Sequence, residues 1–177
     1  MRIVAGVARG RRIAAPDGLD TRPTTDRVRE ALFNALGSLG AVAGSTVVDL
    51  FAGSGALGLE ALSRGAAQVR FVEHDRRARA MIEANLASLG FADRAEVVPS
   101  DAFAYLDDAP PADLMLCDPP YRFDRWDELL AASTAPLVVC ESDREVAAPP
   151  GWELVRQKRY GATVVTILSR SAPHPPE

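Results

Sequence analysis

The sequence has little cysteine and little histidine, with two residues of each in 177. Cys117 and Cys140 each lie in an apolar run that is typical of a buried strand, so we expect two reduced, buried thiols. Cysteines and histidines this scattered do not match the spacing of a metal site. The sequence therefore predicts a protein of a reducing, cytoplasmic compartment that holds no metal.

Long apolar runs are also missing. No stretch approaches the roughly 20 residues that a helix needs to cross a bilayer, and no apolar segment follows the first arginines as in a secretory signal. We therefore expect no membrane association. A length of 177 residues fits one hydrophobic core. We expect an N-terminal arm and helix over residues 1–40, a main body over 41–170 and a disordered tail over 171–177.

Lysine is almost absent, with one residue against 19 arginines, and the net charge is −4. Residues 1–29 nevertheless hold seven arginines and three acidic residues, a local charge of +4 that leaves −8 for the rest. A basic segment on an acidic body is a plausible surface for RNA phosphates. The alternative is a solvated, arginine-rich terminus. The candidate phosphate contacts are Arg9, Arg11, Arg12, Arg22 and Arg27.

The apolar pattern predicts an α/β fold. Weak alternation over residues 2–14 predicts a small β-hairpin or arm. Apolar strands then alternate with helices, which is typical of a mostly parallel sheet covered by helices on both faces. The predicted helices are Thr24–Leu39, Ala56–Arg64 and Asp75–Leu89. The predicted strands are Thr46–Phe51, Gln68–Glu73, Glu96–Pro99, Asp113–Cys117, Pro136–Glu141, and a closing hairpin of Trp152–Lys158 and Ala162–Leu168.

A glycine-rich motif, V-V-D-L-F-A-G-S-G-A-L-G, occupies Val47–Gly58. Gly53, Gly55 and Gly58 match G-x-G-x-x-G directly after a strand, a spacing that lets the backbone turn tightly and approach a ligand. The same spacing fits a dinucleotide-binding enzyme. Asp49, ahead of the glycines, favours a ligand with a cationic group such as an α-amine.

Two further acidic residues follow predicted strands. Glu73 ends the second strand about 20 residues past the glycines, where a carboxylate can accept hydrogen bonds from both ribose hydroxyls. Asp101 follows the third strand. It either accepts a hydrogen bond from the exocyclic amine of an adenine ring or simply caps the next helix.

The tetrad Asp118-Pro119-Pro120-Tyr121 follows the fourth strand. An exocyclic amine on a nucleobase is a poor nucleophile because its lone pair is delocalised into the ring. The carboxylate of Asp118 and a rigidly held Pro119 carbonyl would accept its two N–H bonds and favour a pyramidal nitrogen. Tyr121 offers a flat face to an unstacked base. A two-proline turn with a purely structural role is the alternative.

Together these motifs resemble the class I methyltransferases that modify exocyclic amines in nucleic acid. More specifically, the chain resembles the bacterial small-subunit rRNA (guanine-N2)-methyltransferase family, known as the RsmD family. The segment T-R-P-T-T-D-R-V-R-E is specific, because it is not a generic part of methyltransferases. The resemblance covers most of residues 1–121, whereas residues 122–150 add little. It rests on R-I-V-A-G at Arg2–Gly6, Thr21–Asn34, Asp49–Ala66, F-V-E at Phe71–Glu73, and D-P-P-Y.

The resemblance implies a Rossmann-like, seven-stranded methyltransferase fold with an N-terminal β-arm. It implies an enzyme that uses S-adenosylmethionine, releases S-adenosylhomocysteine and methylates a guanine in 16S rRNA, a small subunit or an assembly intermediate. We expect this enzyme to be a monomer, although the sequence does not fix the oligomeric state. Asp118, Pro119 and Tyr121 would hold the guanine N2. The arm and the Arg22–Arg29 segment would face RNA phosphates and the cofactor mouth. The cofactor-binding residues would be Asp49, Phe51, Gly53, Gly55, Glu73 and Asp101.

Three other functions remain open at this point. A DNA adenine-N6 methyltransferase would use the same tetrad on a different amine. A nicotinamide-dependent oxidoreductase would explain the glycines and Glu73, but it leaves the tetrad and the arginines without a role. A non-catalytic rRNA-binding assembly factor would need none of the acidic residues.

Overall fold

The computed structural model describes residues 1–15 and 25–172. Its strands are β1 Thr46–Asp49, β2 Gln68–Val72, β3 Ala95–Val98, β4 Leu114–Cys117, β5 Leu137–Ser142, β6 Trp152–Tyr160 and β7 Thr163–Arg170. They form one sheet in the order β3-β2-β1-β4-β5-β7-β6. β1 to β5 pair in parallel, whereas β7 is antiparallel to both of its neighbours, β5 and β6. The mostly parallel sheet with an antiparallel C-terminal hairpin is therefore confirmed.

Helices cover both faces of the sheet. They are α1 Asp26–Ser38, α2 Ala56–Ser63, α3 Arg76–Leu89, α4 Ala102–Leu106 and α5 Trp126–Ala132. Side chains alternate along each strand, so Val47 faces the cluster formed by α1, α2 and α3, and Val48 faces α4 and α5. Thr25 and Asp75 cap α1 and α3 by accepting hydrogen bonds from the third backbone N–H beyond them.

Residues 1–15 form an arm that folds back on itself. Arg2 and Arg12 make an isolated antiparallel bridge, and the Ile3 N–H donates to the Arg11 carbonyl at 2.9 Å. The described part of the arm contains no longer ladder. The predicted hairpin is therefore reduced to one bridge, and other elements hold the arm in place.

Polar side chains of α2 provide much of that support. The Glu60 carboxylate accepts hydrogen bonds from the Val4 and Ala5 N–H groups at 2.9 and 3.0 Å. The Ser63 hydroxyl accepts from the Ala8 N–H at 3.0 Å and donates to the Ala5 carbonyl at 2.6 Å. These contacts align the arm with the helix that begins at the glycine motif.

Asn85 of α3 holds the other end of the arm. Its Oδ1 accepts from the Ala14 N–H at 2.8 Å, and its Nδ2 donates to the Ala14 carbonyl at 3.0 Å. The same Nδ2 lies 3.5 Å from the carbonyl of Ser54, between the first two glycines of the motif. One amide thus joins the arm to the glycine-rich loop.

The C-terminus continues from β7, and the two cysteines lie in β4 and β5. The predicted tail begins where β7 ends, its first residue Ser171 donates to the Gly151 carbonyl at 2.9 Å, and residues 173–177 lie outside the described part. Cys117 and Cys140 are free and buried, and burial raises the pKa of both thiols. No helix in the described ranges is long and apolar enough to cross a membrane.

Candidate active site

Carboxylates follow three adjacent strands at one edge of the sheet, here called the carboxyl edge. Asp49 ends β1, Glu73 follows β2 and Asp118 follows β4. Asp49 pairs in register with Phe71 and Leu116, so Glu73 and Asp118 each lie two residues beyond its level. Because side chains alternate along a strand, the three carboxylates share the face that α2 covers.

The glycine motif forms the loop between β1 and α2. Gly53 and Gly55 have φ of +54° and +78°, a backbone region that favours glycine. The nearest atom to a Cβ built on Gly53 would be the Phe51 carbonyl oxygen at 4.0 Å, so the loop leaves open space for a ligand there. Gly58 has a different role, because a Cβ at that position would lie 2.3 Å from the Phe71 ring. It allows α2 to pack closely on β2.

Glu73 is fixed by backbone N–H groups of two loops. Its Oε2 accepts from the Gly53 N–H and its Oε1 from the Asp75 N–H, both at 2.8 Å. Its side chain is 10% exposed. Each carboxylate oxygen can accept more than one hydrogen bond, so Glu73 can hold the loop and still receive hydroxyl groups from a ligand.

Asp49 is a carboxyl group almost without solvent contact. It is 1% exposed, and its Oδ2 accepts from the Gly58 N–H at 2.9 Å. Burial raises its pKa from 3.8 to about 8; the Gly58 hydrogen bond opposes that rise, and the charges of Asp118 and Glu73 add to it. A cationic ligand group at this edge would offset the repulsion among the three carboxylates.

Asp101 caps α4. Its Oδ1 accepts from the Phe103 and Ala104 N–H groups at 2.9 and 3.4 Å. The helix-cap alternative for this residue is therefore realised. A role toward an adenine amine stays a prediction, and it would use Oδ2, which makes no hydrogen bond within the described residues.

Aromatic side chains lie between Asp101 and the tetrad. The Phe123 ring contacts Phe51 edge-on at 5.5 Å, stacks with Phe103 at 6.3 Å and meets Trp126 edge-on at 4.9 Å between centroids. The Arg125 guanidinium lies 3.7 Å from the Phe103 ring centroid. This aromatic cluster places Phe51, a predicted cofactor contact, beside residues that sequence reasoning missed.

A signal for the missed residues was present. Trp126, Leu129 and Leu130 are buried on α5, and together with Phe123 they recur at helical spacing. This pattern predicts a short helix between the tetrad and the Pro136–Glu141 strand, an element that is missing from the helices predicted above.

The tetrad forms the turn after β4. Asp118 and Pro119 are half-buried, and Tyr121 is 59% exposed. β4 itself is buried at every residue, so the tetrad is the point at which this central strand reaches the surface. A half-buried carboxylate next to an exposed aromatic ring suits a flat, polar ligand that enters from solvent.

The tetrad is followed by a strained turn. Arg122 has φ of +65°, the only positive value of a non-glycine residue in the described ranges. The Phe123 N–H donates to the Pro120 carbonyl at 3.3 Å, closing a four-residue turn. A left-handed arginine costs about 1–2 kcal/mol, and this conformation brings Phe123 back into the aromatic cluster.

Two exposed arginines of the arm, Arg9 and Arg11, lie away from the carboxyl edge. Its tip contacts Ser63, the last residue of α2, through the Val7 N–H at 2.8 Å, and α2 starts at the carboxyl edge and runs away from it. Arg9 is exposed at this tip. Arg11 is exposed too, and its Nη2 donates to the Ser88 carbonyl near the end of α3 at 2.7 Å.

The remaining predicted cations lie at the start of α1 or outside the described residues. Arg12 and Arg27 are exposed, whereas Arg22 lies outside the described part. The prediction that the whole Arg22–Arg29 segment faces RNA is wrong for Arg29. Its side chain is fully buried, with Nε 3.4 Å from Oε2 of Glu60, because α1 packs this position against α2.

Metal ligands are not grouped in the described residues: no three or more His, Cys, Asp or Glu side chains come together in a way that could hold an ion. Two of the three carboxylates at the carboxyl edge, Asp49 and Glu73, instead accept hydrogen bonds from backbone N–H groups. Their chemistry is that of hydrogen-bond acceptors.

Comparison with known proteins assigns the family. Residues 1–169 match the family model described as "Conserved hypothetical protein 95". The Ribosomal RNA small subunit methyltransferase D of Escherichia coli K12 is 38% identical over 97% of this chain and 91% of its own. The structure of E. coli yhhF superposes with a TM-score of 0.85 at 40% identity, covering 97% and 98% of the two chains. The fold extends to SMU.776, described as "a putative methyltransferase complexed with SAH", at a TM-score of 0.62 and 18% identity, covering 81% of this chain and 48% of that one. The chain therefore belongs to the RsmD family and is a methyltransferase.

Proposed function

We propose that this methyltransferase transfers the methyl group of S-adenosylmethionine to the N2 amine of a guanine in 16S rRNA, acting as a monomer. The observation that carries the proposal is the position of the Asp118–Tyr121 turn. It lies at the carboxyl edge, one strand away from Asp49 in the sheet order. An amine acceptor and a methyl donor can therefore be held side by side.

The residues at the carboxyl ends of β1, β2 and β3 fit this cofactor. Open space at Gly53 lets a ligand approach the backbone, Glu73 can accept ribose hydroxyls, and Asp49 sits where a positive charge is favourable. Phe51 and Asp101 would border the adenine. When bound, the cofactor supplies an electrophilic methyl group on a positively charged sulfur.

The tetrad prepares the acceptor nitrogen. Asp118 and the Pro119 carbonyl accept the two N–H bonds of the amine and hold it pyramidal, so that its lone pair is directed at the methyl carbon. The exposed ring of Tyr121 supports the base from one side. Methyl transfer would form the nitrogen–carbon bond as the carbon–sulfur bond of the cofactor breaks, and the carboxylate of Asp118, which would already accept an N–H of the amine, would take up the proton that the amine loses.

The names of relatives and the distribution of charge support an rRNA substrate. The E. coli relative is named as a methyltransferase of small-subunit rRNA, and this chain covers nearly all of it. Exposed arginines at the base of the arm and on α1, Arg12 and Arg27, offer phosphate contacts. We propose these two together with Arg9, Arg11 and Arg22 as an outer RNA surface.

The test is tritiated-methyl transfer to small subunits purified from a strain that lacks this gene. We expect one labelled nucleoside, N2-methylguanosine, in 16S rRNA, and no label in large subunits or in small subunits from the parent strain. Asp118→Asn is the matched inactive control. Label appearing as N6-methyladenine in duplex DNA instead would replace this proposal with the DNA alternative.

A further inference from the structure

The β6–β7 hairpin turns at the carboxyl edge. β7 runs antiparallel to β5, and its second residue, Val164, pairs with Ser142 at the end of β5. The hairpin turn between Tyr160 and Thr163 therefore lies beside the strand ends that form the active site. The tip of the arm does not, because it packs at the far end of α2.

The register places one cation of this hairpin in the same row as the tetrad. Lys158 pairs with Val165, and Val165 pairs with Glu141. Cys117 pairs with Cys140, so the next residue, Asp118, lies beside Glu141. Paired residues share a face of the sheet, and three strand spacings separate the ends of the row, about 14 Å.

Exposed positive charge is concentrated at this end of β6. Lys158 and Arg159 are exposed, and neither forms an ion pair within residues 1–15 and 25–172. The Lys158 Nζ lies 5.4 Å from the Tyr160 ring centroid. A cation above a partly exposed aromatic ring presents a charge and a stacking face together, a pairing suited to single-stranded RNA.

A second explanation is protection of the sheet edge. β6 is the outer strand, and charged side chains commonly keep such edges from pairing with other chains. The distribution along the strand argues against this explanation. The exposed apolar residues that most need protection are Leu154 and Val155, at 54% and 40% exposure. They lie in the half away from the carboxyl edge and are already flanked by the exposed charges of Glu153 and Arg156. Lys158 and Arg159 lie next to the carboxyl edge instead.

We propose that the β6–β7 hairpin is a second RNA-binding surface, in which Lys158 and Arg159 bind phosphates of nucleotides that flank the base held by the tetrad. This inference rests on the proposed function. It assigns to the hairpin contacts with RNA on the side of the active site, and it leaves to the arm contacts further away.

A paired set of variants tests the surface. Lys158→Gln with Arg159→Gln removes both charges, and Lys158→Arg with Arg159→Lys keeps them. In single-turnover methylation of small subunits from the deletion strain, the first pair should need several-fold more substrate for half-maximal rate. Its rate at saturating substrate should be unchanged. The dependence of log affinity on log salt should flatten by about 0.7–0.9 per lost phosphate contact, and the second pair should match the wild type.

The single lysine of the chain allows an independent measurement. Amine acetylation followed by mass spectrometry reports on Lys158 alone among side chains. We expect the small subunit to slow acetylation of Lys158. The proposed RNA-binding surface would be overturned if Lys158 were acetylated equally with and without the small subunit, or if the glutamine pair reached half-maximal rate at the wild-type substrate concentration. Self-association of the glutamine pair with normal RNA affinity would also overturn it, in favour of edge protection. If the wild-type protein methylated no rRNA, the proposed function would be overturned instead. Protection of Lys158 from acetylation by the small subunit could still be measured in that case.

Discussion

Arg29 and Glu60 form an ion pair in which both side chains are fully buried. Each also binds the arm: Arg29 donates from Nη2 to the Arg2 carbonyl at 2.5 Å, and Glu60 accepts from Val4 and Ala5. Buried charges are costly unless they are paired and hydrogen-bonded. The arm is therefore part of what keeps this pair satisfied, and not an appendage that can be removed without effect.

Removing one partner of this pair should be strongly destabilising. We expect Glu60→Ala to lower the free energy of unfolding by about 3–5 kcal/mol. It leaves the buried Arg29 with only the half-exposed Asp26 as an ionic partner, and it removes the acceptor of the Val4 and Ala5 N–H groups. Urea denaturation measures the change. Glu30→Gln, on the exposed side of the same α1 helix as Arg29, is the control and should stay within about 0.5 kcal/mol. Similar small effects in both variants would mean that the pair contributes little.

Alanine substitutions at two glycines of the arm should distinguish backbone strain from steric clash. Gly6 and Gly10 have nearly equal φ, +83° and +80°. A Cβ on Gly6 would lie 1.9 Å from the Ser63 carbonyl oxygen, whereas one on Gly10 would meet nothing within 4 Å. Gly10→Ala should cost about 1–2 kcal/mol from its φ alone. Gly6→Ala should cost more and release the arm, seen as faster tryptic cleavage at Arg9; equal cleavage in both variants would contradict the docking.

Asp49 should make stability depend on pH. Its pKa in the folded protein is raised from 3.8 to about 8, so the folded state holds a proton that the unfolded state has lost between those values. Its contribution to stability is complete below about pH 4 and is lost as pH rises through about 8. Relative to Asp49→Asn, the wild type should lose about 1.4 kcal/mol of unfolding free energy per pH unit within this window. Parallel curves from denaturation between pH 5 and 8 would refute the raised pKa.

Glu73 should be needed for cofactor affinity. Calorimetry with S-adenosylhomocysteine should show weaker binding to Glu73→Ala, because the ribose hydroxyls lose their acceptor. Glu73→Gln keeps one acceptor oxygen and should fall between Ala and wild type. Thermal unfolding without ligand separates this effect from loss of the contacts to Gly53 and Asp75. Unchanged affinity in the alanine variant would remove Glu73 from the cofactor site.

Variants of the tetrad should separate effects on the methyl-transfer rate from effects on binding of the base. Asp118→Asn replaces an acceptor with a donor and should lower the single-turnover methylation rate about 10²–10³-fold, with cofactor affinity nearly intact. Tyr121→Ala removes a stacking face worth about 1–3 kcal/mol and should raise the RNA concentration needed for half-maximal rate. Tyr121→Phe keeps the ring and should be nearly silent. A wild-type rate in Asp118→Asn would eliminate the mechanism, and a severe defect in Tyr121→Phe would transfer the role to the hydroxyl.

The sheet and its carboxyl edge were predictable because they follow from local signals. Apolar runs define the strands, and a parallel βαβ order brings the ends of β1, β2 and β4 to one edge. Asp49, Glu73 and Asp118 therefore had to lie close together once the fold class was known. His74, between Glu73 and the Asp75 cap, is exposed.

Contacts between distant segments were not predictable. An arginine in a basic stretch gives no sign that it will be buried, and Arg29 is neutralised by Glu60, 31 positions further along the chain. The aromatic cluster likewise joins Phe51 with Phe103 and Phe123, which belong to three separate loops or helices. Such pairings depend on tertiary packing, which no local pattern encodes.

The docking of the arm has a consequence for folding during synthesis. The first residues leave the ribosome long before their partners, since Glu60, Ser63 and Asn85 lie 55–71 positions later. Residues 1–15 have no ladder of their own that is longer than one bridge, so they stay unstructured until α2 and α3 exist. At a synthesis rate of about 5–20 residues per second, this delay lasts several seconds. During that time we expect the four arginines of residues 1–15 to be accessible to ribosomal RNA at the site of synthesis.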